Sequence, residues 1–213
     1  MHWYQRLIII CLILMIEGVI YLVIQHSTVH EYDFTTSIDK IIPRMPEFVW
    51  IYHTLAPVVI FAHVFFMRKK RIFYTAIISF IIALVLLNSC FLLLPSEYPR
   101  STLEPTTMSE RLLSWTYSVD AANNTFPSTH IAFAWLVFLN VCRSGFSQNK
   151  GVVIGHGVWA TLIVTSTLVL KQHNIVDVIS GMGLAVLAVW LAQKAYDKLT
   201  PNVALASTNY ESY

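Results

Sequence analysis

The sequence predicts an all-α integral membrane protein, and three observations carry that prediction. Hydrophobic residues fill 56% of the 213 positions and charged residues only 12%, about half the charged share of an ordinary soluble domain. The apolar residues are gathered into six runs, each long enough for a bilayer core. Lys and Arg concentrate in alternate connecting loops, as they do around transmembrane helices. A six-helix bundle forming one domain over residues 1–213 follows, with no linker, low-complexity tract or internal repeat.

The first run, Leu7 to Ile24, follows a single basic residue, Arg6, and no small-residue cleavage site comes after it, so it reads as a retained span. Glu17 within it is expected to face the bundle interior, hydrogen-bonded or protonated. Gln25 to Pro46 is polar and carries His26, His30, Glu31, Asp33 and Asp39. Their spacing fits no metal-ligand pattern, and a solvated loop is the reading. The second span covers Phe48 to Met67; His53 and His63 inside it are ten apart, off a common face, and read as packing residues. Arg68-Lys69-Lys70-Arg71 follows, and the uncharged third span runs from Ile72 to Leu94.

The longest loop, Pro95 to Pro127, opens with prolines that stop the helix and keep Arg100 near the membrane surface. Thr107-x-x-Glu110 reads as a capping box in front of Ser109 to Ser118, a segment expected to lie in the membrane interface, anchored by Trp115. The fourth span begins at Phe126-Pro127-Ser128-Thr129-His130 and ends near Cys142; the fifth covers Val152 to Leu170. After the turn Lys171-Gln172-His173-Asn174, the sixth runs from Ile175 to about Leu191, where Gly181 and Gly183 permit close helix approach. Cys11, Cys90 and Cys142 lie in apolar runs without metal-ligand spacing and read as inert core thiols. A net charge of +2 is too small to suggest nucleic acid.

The basic run at 68–71 fixes its loop as cytoplasmic, which places both termini inside. Nine Lys and Arg then fall on the inside against five outside. Arg100, the Pro127–His130 motif and the Lys171–Asp177 turn all reach the non-cytoplasmic face. Three separated polar motifs converge there, each at the end of a span.

That face offers a particular chemistry. His173 and Asp177 are four residues apart, one helical turn, so the carboxylate can fix the imidazole tautomer and leave the other nitrogen as a nucleophile. Ser128, Thr129 and His130 stand at a helix N-terminus, a ready anion site. Arg100 and Lys171 add positive charge. Such a set suits phosphoryl transfer, with His173 attacking phosphorus to form a phosphohistidine and His130 acting as acid and base. Arg100, Ser128, Thr129 and Lys171 would hold the phosphate. No metal or other cofactor is called for, since the cations balance the charge. The expected substrate is a lipid phosphate or phospholipid.

Phe126-Pro127-Ser128-Thr129-His130 and His173-x-x-x-Asp177 resemble the second and third signature motifs of the type 2 phosphatidic acid phosphatase superfamily, and the six-span architecture is similar too. Two motifs depart from its pattern, the first and the third. Leu93 stands where the first motif has lysine, with proline before Arg100 rather than after it, and Ser166-Thr167 replaces the serine-arginine of the third. Lys171 is the candidate for the missing charge. The Pro95–Arg100 element and the lysine-glutamine-histidine turn resemble the subgroup of inositol phosphorylceramide synthases. The resemblance implies hydrolysis of a lipid phosphate monoester or diphosphate, or headgroup transfer as in the inositol phosphorylceramide and sphingomyelin synthases. A non-enzymatic transporter or lipid-binding subunit is the competing class.

Overall fold

The computed structural model describes residues 2–27, 32–100 and 102–200 and is almost wholly helical. The helices are α1 (Trp3–Ser27), α2 (Ser37–Ile41), α3 (Val49–Tyr52), α4 (Leu55–Phe65), α5 (Lys70–Leu93), α6 (Met108–Val119), α7 (Thr129–Val141), α8 (Lys150–Val169) and α9 (Ile175–Leu199). Strands β1 (Tyr32–Asp33) and β2 (Ser96–Glu97) pair in parallel, Tyr32 opposite Ser96, and Glu97 bridges to Asn123. His30, Glu31 and the polar tail from residue 201 lie outside the described residues.

Among the described residues, five helical segments are long and apolar enough to cross a membrane: Trp3–Ser27, Pro46–Phe65, Lys70–Leu93, Lys150–Val169 and Ile175–Leu199. The sixth apolar helix, α7, has only 13 residues, about 20 Å of rise. Its place explains its length. It packs against α4, α5, α8 and α9, and Ile131, Ala132, Ala134, Leu136, Val137 and Val141 are fully buried. A helix sheathed by protein at both ends need not match the bilayer. α1 is the opposite case, with Leu12, Met15, Ile16, Val19 and Val23 all exposed on its outer side.

The second apolar run is not one helix. A 3₁₀ turn (Pro46–Phe48) leads into α3, and the chain breaks at His53–Thr54 before α4. Pro57 causes the break, since its ring would meet the carbonyl four residues earlier, at His53. His63 is the packing residue expected, fully buried with its ring edge-on to Phe80. Cys11 lies on the exposed side of α1 rather than in the core.

The loop after α1 is not merely solvated. Asp39 is 1% exposed, accepts from the Thr36 amide at 2.8 Å within the cap of α2, and accepts from the Ile175 amide at 2.9 Å at the start of α9. The expected capping box at α6 is present: Glu110 N–H donates to the Thr107 hydroxyl at 3.2 Å and Thr107 N–H to the Glu110 carboxylate at 2.8 Å.

Of the two glycines in α9, only Gly181 serves close approach. A Cβ there would lie 2.8 Å from the Ser128 carbonyl oxygen, whereas one at Gly183 would meet nothing within 4 Å. Gly181→Ala is therefore expected to cost about 1–3 kcal/mol, and Gly183→Ala to gain up to about 1 kcal/mol from helix propensity. Thermal unfolding of the two variants in detergent checks both signs. A pH test applies to α6. Hydrogen bonds from the Thr107 and then the Thr106 groups pull Glu110 down to about 2 from an ordinary 4.5. A depressed carboxyl stabilises above its unfolded value and loses that contribution as pH falls through the folded one. The protection of the α6 amides, their exchange rates divided into the intrinsic rates at each pH, should fall between about pH 4.5 and 2, and Glu110→Gln should remove that fall.

Candidate active site

The turn between α8 and α9 is built by backbone capping. Lys171 adopts a left-handed conformation, φ 57°, and the Gln172 and Lys171 amides donate back to the Thr167 and Leu168 carbonyls at 3.0 and 3.1 Å. This is the helix-ending pattern that usually places glycine at the Lys171 position. Asn174 then caps α9: its side chain accepts from the Asp177 amide at 2.9 Å, and Asp177 returns the bond to the Asn174 amide at 3.0 Å. His173 is fixed between the two helices.

His173 Nδ1 lies 3.0 Å from the Thr125 carbonyl oxygen and 3.3 Å from Asp177 Oδ2. Both neighbours only accept, so Nδ1 carries the proton and Nε2 keeps its lone pair. The second histidine comes from the first turn of α7, which Ser128 caps by accepting from the Ile131 amide at 3.4 Å. The Ser128 amide donates to the Asp177 carbonyl at 3.2 Å, which joins the two motifs through backbone. The His130 and His173 ring centres are 6.1 Å apart, near enough for one phosphoryl group to touch both.

His130 stacks on Tyr52 at 4.2 Å with the rings 22° apart, and its Nδ1 is 3.5 Å from the Tyr52 oxygen. Tyr52 donates its own proton to Asp120 Oδ2 at 3.0 Å, and Tyr21 donates to Oδ1 at 2.8 Å. A carboxylate thus stands behind each histidine, directly for His173 and through Tyr52 for His130.

Both histidines line a cavity of about 420 Å³. Arg100 also lines it; its guanidinium donates to the Asp120 and Ala121 carbonyls at 2.7 and 3.2 Å and to the Gln172 side-chain oxygen. It rests over the Tyr117 ring at 4.6 Å. Buried side-chain atoms of several lining residues have no protein partner: Arg100 Nε, Gln172 Nε2, both polar atoms of Asn124, Thr129 Oγ1 and Glu17 Oε1. Leaving such groups unmet costs about 1–3 kcal/mol each, and the set holds acceptors as well as donors. Farther along α1 the lining changes to Leu14, Gly18 and Leu22, joined by Val119 and Phe133, with the buried Glu17 among them. Glu17 does face the interior, accepting from Asn88 at 2.9 Å.

The seven residues expected from sequence divide accordingly. His130, His173, Arg100 and Thr129 line the cavity, and Asp177 stands directly behind His173. Ser128 and Lys171 do not line it. The Ser128 hydroxyl is fully buried in the cap of α7. Lys171 Nζ donates to the Asp39 carbonyl at 2.8 Å, where burial lowers its pKa against the opposing pull of the Asp39 charge. Sequence reasoning missed Tyr52, Asp120, Tyr21, Asn124 and Gln172 as site residues. It read His53 as packing, yet His53 lines the cavity and bonds the Thr116 hydroxyl at 2.9 Å. Gln172 could have been found, since it lies inside the turn that was singled out; Tyr21 and Tyr52 carried no motif.

Among known proteins, a family model described as the PAP2 superfamily matches residues 13–191. No curated protein matches the chain. The matched stretch takes in both histidine turns, Arg100, Asp120 and the helices that hold them, and the chain belongs to the PAP2 superfamily.

Proposed function

We propose that the protein is a membrane enzyme that breaks a lipid phosphate ester through a phosphohistidine on His173. The observation that carries this reading is the cavity itself, where a nucleophilic nitrogen with a fixed tautomer, a second histidine and the Arg100 guanidinium meet. Family membership, with its phosphatase and phosphotransferase chemistry, supports the same class.

His173 Nε2 attacks phosphorus as the P–O bond to the lipid breaks, and His130 delivers a proton to the departing oxygen. His130 then takes a proton from water, whose oxygen attacks phosphorus, breaks the P–N bond and releases phosphate. Arg100, Thr129, Gln172 and Asn124 hold the equatorial oxygens, where charge builds. Ser128 and Lys171 act from behind the wall, the first by fixing α7 and the second by fixing the turn. The apolar lining along α1 receives the lipid chain.

On a reading with six crossings, α7 the fourth and α6 in the interface, this chemistry lies at the non-cytoplasmic face; the exposure of Met108 and Trp115 on α6 supports that reading. The opposite end gathers the basic residues: Arg6 donates to the Arg68 carbonyl at 2.6 Å, and Arg71 pairs with Asp197 at 2.8 Å. By the distribution of positive charge that end is cytoplasmic, with both termini.

One observation favours headgroup transfer as a second reading. Leu93 and Thr167 stand where the phosphatase signatures carry cations, while Glu17 and Asp120 line the cavity. A wall of one guanidinium and neutral donors suits a singly charged phosphodiester better than a doubly charged monoester. An alcohol then replaces water in the second step, as in the inositol phosphorylceramide synthases that the sequence resembles.

The purified protein, given a panel of labelled lipid phosphates and phospholipids with and without alcohol acceptors, should release phosphate or form a new headgroup lipid. His173→Ala should abolish either product, and Asp177→Asn should lower turnover by about 10²–10⁴. Acid-labile, alkali-stable label on wild type but not on His173→Ala identifies the phosphohistidine; no label and no product from any lipid would sink the reading. Tyr52→Phe keeps the ring stack and loses the hydroxyl. It should lower kcat about tenfold for lipid esters and far less for p-nitrophenyl phosphate, whose leaving group needs no acid. An equal loss on both substrates would leave Tyr52 a packing role only.

A further inference from the structure

We propose that the crevice between the start of α1 and the end of α4 binds the phosphate headgroup of an anionic phospholipid, at the end of the bundle away from the histidines. Arg6 is separated from Tyr21 by fifteen residues of α1, about 22 Å along the helix. The crevice, about 330 Å³, is lined by Trp3, Arg6, Val64, Phe65 and Arg68.

Arg6 is only 8% exposed. It donates from Nη1 to the Val64 carbonyl at 3.4 Å and from Nη2 to the Arg68 carbonyl at 2.6 Å. Those bonds hold its plane against the end of α4, and its buried Nε has no partner. A guanidinium carries five N–H donors in a fixed fork that matches phosphate oxygens. Arg68 brings a second guanidinium to the same crevice, and no carboxylate lines it. Of Arg6, Arg68, Lys69, Lys70 and Arg71, only Arg71 has an acidic partner among the described residues, Asp197. Two like charges held together without a counter-ion, one of them buried, are unfavourable until an anion joins them.

The rest of the lining selects a lipid over a free ion. Trp3 is 63% exposed and Phe65 43% exposed, an aromatic pair at the depth where headgroups meet hydrocarbon. Phe65 offers apolar surface to the first carbons of an acyl chain, which inorganic phosphate cannot use. Basic crevices between transmembrane helices take anionic headgroups on these grounds. Such a lipid would brace α1, whose outer side is exposed, against α4.

The test is native mass spectrometry of the full chain in uncharged detergent, titrated with dioleoylphosphatidylglycerol, dioleoylphosphatidylcholine or inorganic phosphate. Phosphatidylglycerol should be retained at least about tenfold better than phosphatidylcholine, and phosphate should not displace it. Arg68→Gln, at an exposed position where the fold is not at stake, should weaken retention about fivefold or more, and Arg6→Gln further. Lys70→Gln removes the same charge outside the crevice and should change it less than twofold. Equal retention of the two lipids would overturn the proposal, as would indifference to Arg68→Gln. Equal loss from Lys70→Gln would mean diffuse attraction and no site, and displacement by phosphate would make the ligand a simple anion.

Discussion

The bond from the Ser128 amide to the Asp177 carbonyl, with Gly181 bare beneath it, is the contact on which the histidine end of the bundle depends. Lipid supplies little hydrophobic force to fix one helix against another, so two packed spans are free to slide unless something polar or small pins them. Here a backbone bond and a missing side chain do so together. They set the start of α7 against the first turn of α9, and the 6.1 Å separation of the two histidine rings follows from that register. Neither histidine is placed by its own rotamer alone.

Around this contact the loops bring polar groups into a buried setting without leaving the backbone unmet. Asp39 reaches from the segment after α1 to the first amide of α9, and its carbonyl takes the Lys171 ammonium. The pairing of β1 with β2 ties the same segment to the chain leading to Arg100. Among the described residues two non-glycines bear left-handed backbone angles, Asn124 at φ 52° and Lys171 at φ 57°. Asparagine tolerates that region, whereas lysine there costs about 1–2 kcal/mol. Both flank His173, one beside the Thr125 carbonyl that holds its Nδ1 and the other opening its turn. Backbone strain of this kind persists where surrounding structure over-determines it.

What the sequence made legible was local. Apolar runs announce helices, and His173 with Asp177, or Thr107 with Glu110, announce themselves because each pair lies within one turn. The same reading failed where meaning depends on distant partners. Asp120 gains its role from Tyr21 and Tyr52, 99 and 68 residues away. Asp39 looked like a loop acid because its partner at Ile175 lies 136 residues on. Ser128 and Lys171 were assigned by residue type to a phosphate, and the structure gives their polar atoms to the α7 cap and to Asp39. The break at His53 was legible in principle, since Pro57 names the carbonyl it excludes, but a run of apolar residues hides a two-residue interruption.

Asp120 also resolves an apparent contradiction, a carboxylate on the wall of a cavity that holds two histidines and Arg100. Each of its side-chain oxygens accepts a tyrosine hydroxyl, and its backbone carbonyl accepts from Arg100. Its lone pairs therefore point into the protein, and little of its charge is presented bare to an incoming phosphate. What reaches the site is indirect: a Tyr52 oxygen polarised toward acceptance beside His130 Nδ1, and an Arg100 held so that Nε remains without a protein partner. One residue at the end of α6 thereby joins α1, α3 and the segment after β2. A change at Asp120 would disturb His130, Arg100 and the helix packing at once. Tyr52 separates these effects, because its loss of one hydroxyl leaves Tyr21 and Arg100 on Asp120 intact.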